Sequence, residues 1–297
     1  MVSTDQITTG KKLVRIWFYA NFHIALVAFV LSMATFHVFG GVRAWRYATL
    51  AALSTFALYN VQRLIIAFRE QDLDLIRSER HEWIHRNRIA LLWSVIGAMV
   101  IAVVLLLLTP LPVSWWIVAP AVVVAFTYAV PIIPLNGNFV RLRDVPLIKV
   151  FLVGIVWSYV TAFVPLIWLH QYDILTLLLW PLIVALQCTA LTIPFDIRDA
   201  SIEQGKLLTL PQVIGNKGAI RIAIVMMVTA LALVAMLVWY SSGSTTSFFP
   251  MLIVEFVWTI IAIWQLLRAA PDRTEWYYVA VLDGLLVVLG IALLLVR

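Results

Sequence analysis

The sequence predicts an all-α polytopic membrane protein, a single integral-membrane domain over 1–297 with nine spanning helices. Three observations predict it. Hydrophobic residues make up 63% of the chain, charged residues only 12%, and mean hydropathy is +1.00; soluble domains carry about 25% charged residues. The apolar residues come in continuous runs of about 20, the length a helix needs to cross the bilayer core. They do not alternate with polar residues as in a transmembrane barrel. The basic residues recur on every second loop, as positive-inside topology requires.

The spans are predicted at roughly 16–38, 45–67, 89–109, 113–134, 146–168, 174–195, 219–240, 248–268 and 275–296. The first carries Asn21, His23 and His37, polar groups unusual in a span. Polar residues 1–15 lead into a full-length span, so no cleavable signal peptide is expected. Only Thr109-Pro110-Leu111-Pro112 separates the third span from the fourth. Segment 68–88 has mixed charge and helix-like character, and is read either as a short cap over the inner mouth or as a solvated connector. Tyr128-Ala129-Val130-Pro131 and Pro134-Leu135-Asn136-Gly137-Asn138 break the chain between spans four and five. Thr209-Leu210-Pro211-Gln212-Val213-Ile214-Gly215 reads as a loop returning into span seven.

With the N-terminus in the cytoplasm, Arg43, Arg46 and Arg297 alone face outward, so 18 of the 21 basic residues fall inside. The C-terminus is then outside, and the expected location is the plasma (inner) membrane. The net charge of +6 follows from this bias, and no nucleic-acid partner is expected. Cys188 is the one cysteine, which excludes an intrachain disulfide.

Chemistry is expected where charge meets a span end. Span six runs into Pro194-Phe195-Asp196-Ile197-Arg198-Asp199, with Glu203 beyond. If the helix continues, Asp196, Asp199 and Glu203 at i, i+3 and i+7 share one face. Oxygen ligands of this kind suit Mg²⁺, which takes the rest of its shell from waters and phosphates. Span two ends on the same side with Tyr59-Asn60-Val61-Gln62-Arg63. Asn60 and Arg63 either pack and snorkel, or face Asp196, with Asn60 as a metal ligand and Arg63 pairing with the acids or a diphosphate. Arg141, Arg143 and Lys149 cluster after the fourth span, as positive-inside flanks or as diphosphate binders. Asn21, His23 and Gln187 are read as helix-packing groups or as cavity lining. Glu255 and Asp283, on consecutive spans, are neutral packing carboxyls or an ion path. Phe126, Tyr128, Trp157 and Tyr159 lie deep enough to line an isoprenoid-sized groove, or simply pack.

Together these pieces resemble the UbiA superfamily of intramembrane prenyltransferases, over nearly the whole chain. Asp196-Ile197-Arg198-Asp199 with Glu203, then Thr209-Leu210-Pro211 and Gly215, looks like that family's second aspartate-rich motif. Tyr128-x-x-Pro131 with Arg141 and Arg143 looks like its loop between helices four and five. The resemblance implies a bundle with a cytoplasm-facing central cavity, Mg²⁺ held by Asn60, Asp196, Asp199 and Glu203, and a prenyl diphosphate held by Arg141, Arg143, Lys149 and Arg198, with Arg63, new relative to the family's first motif, adding a fixed charge on the diphosphate. Asp196, Asp199 and Arg63 would be catalytic; Asn21, His23, Asn60, Tyr128 and Gln187 would line the cavity. The sequence departs from the family at the first motif, Asn-Asp-x-x-Asp-x-x-x-Asp. Aligned on Asn60, its aspartate positions hold Val61, Leu64 and Phe68.

Three functions follow. The first is Mg²⁺-dependent transfer of an isoprenoid chain from a prenyl diphosphate to a lipophilic acceptor. The second, prompted by the missing acids, is a non-catalytic member of the fold that binds a prenyl lipid or a partner. The third is a transporter using Glu255 and Asp283.

Overall fold

The computed structural model describes residues 4–40, 44–69, 79–108, 116–117, 119–120, 123–124, 127, 133–135, 138–142, 145, 147–169, 173–199, 209–241 and 249–296, with backbone alone at 4–9, 11, 69, 133, 135, 138 and 140. Among the described residues, eight helices are long and apolar enough to cross a membrane, so the chain is an integral membrane protein. The ninth expected span, 113–134, falls largely outside the described residues. Its described parts are helical up to residue 127, but Ile133–Leu135 is a strand (β1), paired antiparallel with Asn138–Val140 (β2). This strand pair is absent from the sequence expectation.

Packing divides the chain into two compact units, Met1–Phe29 with Trp45–Leu111, and Val30–Ala44 with Pro112–Arg297. The first unit contains α1 (Thr4–Tyr19), the start of α2 (Phe22–Phe39), α3 (Trp45–Arg69), α4 (Glu79–Arg86) and α5 (Arg88–Leu108). The expected first span, 16–38, is corrected here: the helix breaks at Asn21, whose φ is 62°, and the membrane-long segment starts at Phe22. Asparagine tolerates this left-handed conformation because its short amide can bond locally. Segment 68–88 includes α4, as its helix-like composition suggested; residues 70–78 lie outside the described residues. Phe56, Leu64, Ile84, Leu91, Val95 and Ala98 form the unit's apolar core. The remaining face of α5, with Met99, Val103 and Leu107 more than half exposed, is apolar, as a lipid-facing helix surface must be.

The second unit contains the rest of α2, α6 (Ile148–Leu169, with a π-helical turn at Tyr159–Phe163), α7 (Ile174–Asp199), α8 (Leu210–Ser241), α9 (Phe249–Leu267) and α10 (Tyr277–Leu294). α7 packs against both α6 and α8. Its Trp180, Ile183, Ile193 and Ile197 are fully buried. Buried polar bonds pin the helices: Thr35 of α2 donates to the Thr161 carbonyl at 2.7 Å and accepts from Trp180 Nε1 at 3.0 Å. Trp258 Nε1 donates to the Leu285 carbonyl at 2.7 Å, joining α9 to α10. Helix α8 begins at Leu210, earlier than the expected 219, and its first turns are set off by Gly215 at φ 74°, ψ 160°. A side chain would strain that backbone.

Close approach of α6 to α7 depends on Gly154. A Cβ there would stand 2.7 Å from the Ala185 carbonyl oxygen and overlap Thr189 Oγ1. Gly154→Ala is therefore expected to destabilise the second unit by roughly 1–3 kcal/mol through overpacking. Thermal unfolding in detergent measures it, and an unchanged midpoint would mean that α6 and α7 separate freely.

Candidate functional site

In the first unit the polar cluster at the end of span two closes on the Asn21 kink. Asn21 Nδ2 donates to Asn60 Oδ1 at 2.9 Å. Asn60 Nδ2 donates to the Ala20 carbonyl at 3.0 Å and to the Phe56 carbonyl at 2.8 Å. Arg80 Nη2 donates to Asn21 Oδ1 at 2.5 Å. Asn21, Asn60 and Arg80 are all buried. Both amide hydrogens of Asn60 are thus spent on backbone carbonyls and its oxygen on Asn21, so the side chain braces the kink. Arg80 was not among the sequence candidates, since it sits in a mixed-charge segment that gives no sign of burial. Tyr19 donates to Glu79 Oε2 at 3.3 Å, and Arg15 lies 3.5 Å from the same oxygen. His23 is buried against Phe18, ring centroids 5.0 Å apart. Arg63 is half-buried. Val61, Leu64 and Phe68, where the sequence resemblance expects acids, line an apolar hollow of about 460 Å³ with Ile65 and Leu92. No oxygen donor is among those lining residues.

In the second unit α7 does continue through Asp196 and Asp199. Each carboxylate meets a cation of the chain. Lys149 Nζ, in the first turn of α6, lies 3.1 Å from Asp196 Oδ1, and the Asp196 side chain is only 4% exposed. Arg198 Nε donates to Asp199 Oδ1 at 2.8 Å. The same guanidinium stands over the Phe195 ring at 5.4 Å and the Tyr278 ring at 5.0 Å, an arrangement that attracts a cation to both ring faces. Arg198 is therefore clamped between α7 and α10. Arg141 follows β2 directly and is half-buried. Deeper in the membrane, Gln187 Nε2 donates to Glu255 Oε2 at 2.7 Å, both residues being buried. The other Glu255 oxygen has no hydrogen-bond partner among the described residues. Gln187 and Glu255 thus join neighbouring helices. Tyr159 donates to the Ile117 carbonyl and stacks on Phe163. Tyr128, Arg143 and Glu203 lie outside the described residues.

A scan of protein-family models finds no match to this chain, and neither does a search of curated proteins. Solved structures do match. An apo UbiA homologue from Aeropyrum pernix K1 aligns over 91% of this chain and 94% of its own, at 17% identity with a TM-score of 0.56. The chain has the UbiA fold. A UbiA homologue from Archaeoglobus fulgidus, solved with GPP and Mg²⁺, aligns over 96% and 97% at 13% identity with a TM-score of 0.47; the fold assignment rests on the first.

Among the described residues, which do not include Glu203, the donor set fits Mg²⁺ poorly. Among the described residues no three His, Cys, Asp or Glu side chains converge on a metal position. Lys149 lies 3.1 Å from Asp196 Oδ1, Arg198 donates to Asp199, and the Asn60 oxygen accepts from Asn21. A hard cation needs several oxygens facing one point, and the two acids instead face separate ammonium and guanidinium groups.

Proposed function

We propose that the protein is an intramembrane prenyltransferase, moving an isoprenoid chain from a prenyl diphosphate to a lipophilic acceptor. One observation carries this reading: a nearly fully buried Asp196 held by Lys149 at 3.1 Å, at the end of the span that resembles the family's second motif. Burying such a pair is expensive. Ionisable groups at this depth of a span are functional by default. The proposed site is confined to the second unit: Lys149 and Arg141 take the diphosphate, Asp196 orients Lys149, and Arg198 with Asp199 fixes the end of α7. Arg63 and Asn60, of the first unit, are not assigned to it. Mg²⁺ at Asp196, Asp199 and Glu203, which the sequence resemblance implies, gains no support from the described donors.

In the reaction, the bond from the allylic C1 to the bridging oxygen breaks and both electrons leave with the diphosphate. A nucleophilic carbon or oxygen of the acceptor bonds to C1, and the proton it releases passes to the diphosphate. Fixed cations favour this step by meeting charge as it develops, in an apolar site that keeps water from the carbocation. The topology proposed with it is a cytoplasmic N-terminus and an outer C-terminus in the plasma membrane.

The test is incubation of membranes holding the protein with labelled prenyl diphosphates of increasing length, with and without Mg²⁺. A new labelled lipid, absent from control membranes, is the expected result. Binding of the donor with no new lipid, from purified protein given membrane extract as acceptor source, supports the second reading: a non-catalytic prenyl-lipid binder. The apolar residues at the first-motif positions favour that alternative. The Gln187–Glu255 bond between neighbouring helices speaks against a transporter.

A further inference from the structure

The apolar hollow of the first unit runs out onto a lipid-facing surface. Val61, Leu64, Ile65 and Phe68 of α3 and Leu92 of α5 line its volume of about 460 Å³, a size typical of small-molecule sites. Leu92 shares a face of α5 with Ile89 and Ile96, at i−3 and i+4. Both are exposed, and so is Phe68. A hydrocarbon chain coming from the bilayer past these residues meets apolar side chains throughout. One end of the hollow is charged. The Arg88 guanidinium stands over the Phe68 ring, 5.5 Å from its centroid, and Arg88 Nη1 donates to His85 Nε2 at 2.9 Å. Stacking holds the cation by its face, while its five N–H donors point outward in its plane. His85 takes one of them and brings no negative charge as the acceptor. Arg86 nearby differs: it is exposed, and Glu82 meets its charge at 2.5 Å. Among the described residues Arg88 thus meets a ring and an imidazole, which fix the guanidinium without neutralising it. Phe68 is one residue from the end of α3 and Arg88 is the first of α5, so this cation marks a span end, where arginine reaches headgroup level.

We propose that the hollow between α3 and α5 seats an anionic phospholipid, with an acyl chain among Val61, Leu64, Ile65, Phe68 and Leu92 and the phosphate on Arg88. Basic pockets between spanning helices hold anionic head groups in this way. A zwitterionic lipid brings its own cation to a place that already has one. The site lies wholly in the first unit and is independent of the prenyl diphosphate reading.

The test uses the full chain, purified in detergent, with labelled phosphatidylglycerol as probe. Saturable binding is expected, with phosphatidylcholine of the same acyl chains competing about tenfold less well. Arg88→Gln should weaken binding by about tenfold or more, the loss of a charge-assisted contact. Arg86→Gln makes the same change in net charge at an exposed, already paired position and should stay within about twofold of the parent. Ile65→Trp fills the hollow with every charge kept, and should weaken binding by about tenfold through lost chain burial. If Ile65→Trp fails to fold, judged by thermal unfolding without lipid, Leu92→Phe fills less of the hollow and should weaken binding by about threefold. Equal competition by phosphatidylcholine, or equal losses in the two arginine variants, overturns the proposal. Glycerol 3-phosphate competing as well as the whole lipid would make this a free-phosphate site and overturns it too. Farnesyl diphosphate displacing the lipid at equal concentration would make the hollow part of the donor's groove, again against the proposal. Each of these failures leaves the transferase reading standing, because formation of a new prenylated lipid is a separate measurement.

Discussion

Asp196→Asn is expected to lower prenyl transfer by at least about 100-fold, the scale of losing one electrostatic group from a dry active site. The carboxylate is nearly fully buried, and it pairs with Lys149 at 3.1 Å. Asparagine keeps the volume but removes the charge that fixes the ammonium. Lys149 then loses its fixed position, and the diphosphate loses its aligned cation. Because Asp196 acts through Lys149, two further readouts separate positioning from mere structural damage. Asp196→Glu should recover part of the activity, and the loss in Asp196→Asn should fall on kcat more than on KM when measured with purified protein and saturating acceptor. Asp199→Asn makes the contrast. Arg198 keeps both aromatic faces when Asp199 is neutralised, so activity there should fall by about tenfold or less. Equal losses at 196 and 199 would point instead to two carboxylates sharing one role, as a metal cage would have them.

How far the sequence foretold this arrangement depends on which physical signal each part leaves. The spans were legible because lipid imposes length and hydropathy directly: eight of the nine expected runs reappear as membrane-long helices. Continuation of α7 through Asp199 was less so: the expected span ended at 195, and the i, i+3 spacing put Asp196 and Asp199 on one face only if the helix went on, as it does. The kink at Asn21 was not. A single polar residue in an apolar run reads as a costly guest of a straight helix, and nothing in the run marks a positive φ. The pairing of Lys149 with Asp196 was hidden for another reason. Both residues were identified, but as separate parts, one for phosphate and one for metal, since residues 47 positions apart show no sign of contact until α6 and α7 cross at Gly154. Arg80 was missed outright, because burial of an arginine among Arg77, Glu79 and Glu82 cannot be seen in composition.

Asn60 decides between two physical accounts of span two, and Asn60→Asp separates them. A metal ligand should tolerate aspartate, or improve with it, because a carboxylate binds a hard cation better than an amide oxygen does. A kink brace should not. In the structure the Asn60 amide donates to the Ala20 and Phe56 carbonyls at 3.0 and 2.8 Å while its oxygen accepts from Asn21. Aspartate cannot donate to either carbonyl when ionised. It would put a charge at a fully buried position, and it would turn acceptor against acceptor. The expected cost is about 3 kcal/mol or more, from two orphaned carbonyl bonds and a poorly solvated carboxylate. Arg80, bonded to Asn21 at 2.5 Å, offsets part of that charge, which is why the companion Asn60→Leu matters. Leucine removes all three bonds without adding charge and should destabilise by a similar amount. Unfolding of both variants in detergent, followed by tryptophan fluorescence with and without Mg²⁺, gives the measurement. Two lowered midpoints that Mg²⁺ does not restore fit the brace. A wild-type midpoint for Asn60→Asp, raised further by Mg²⁺, would return Asn60 to the metal site.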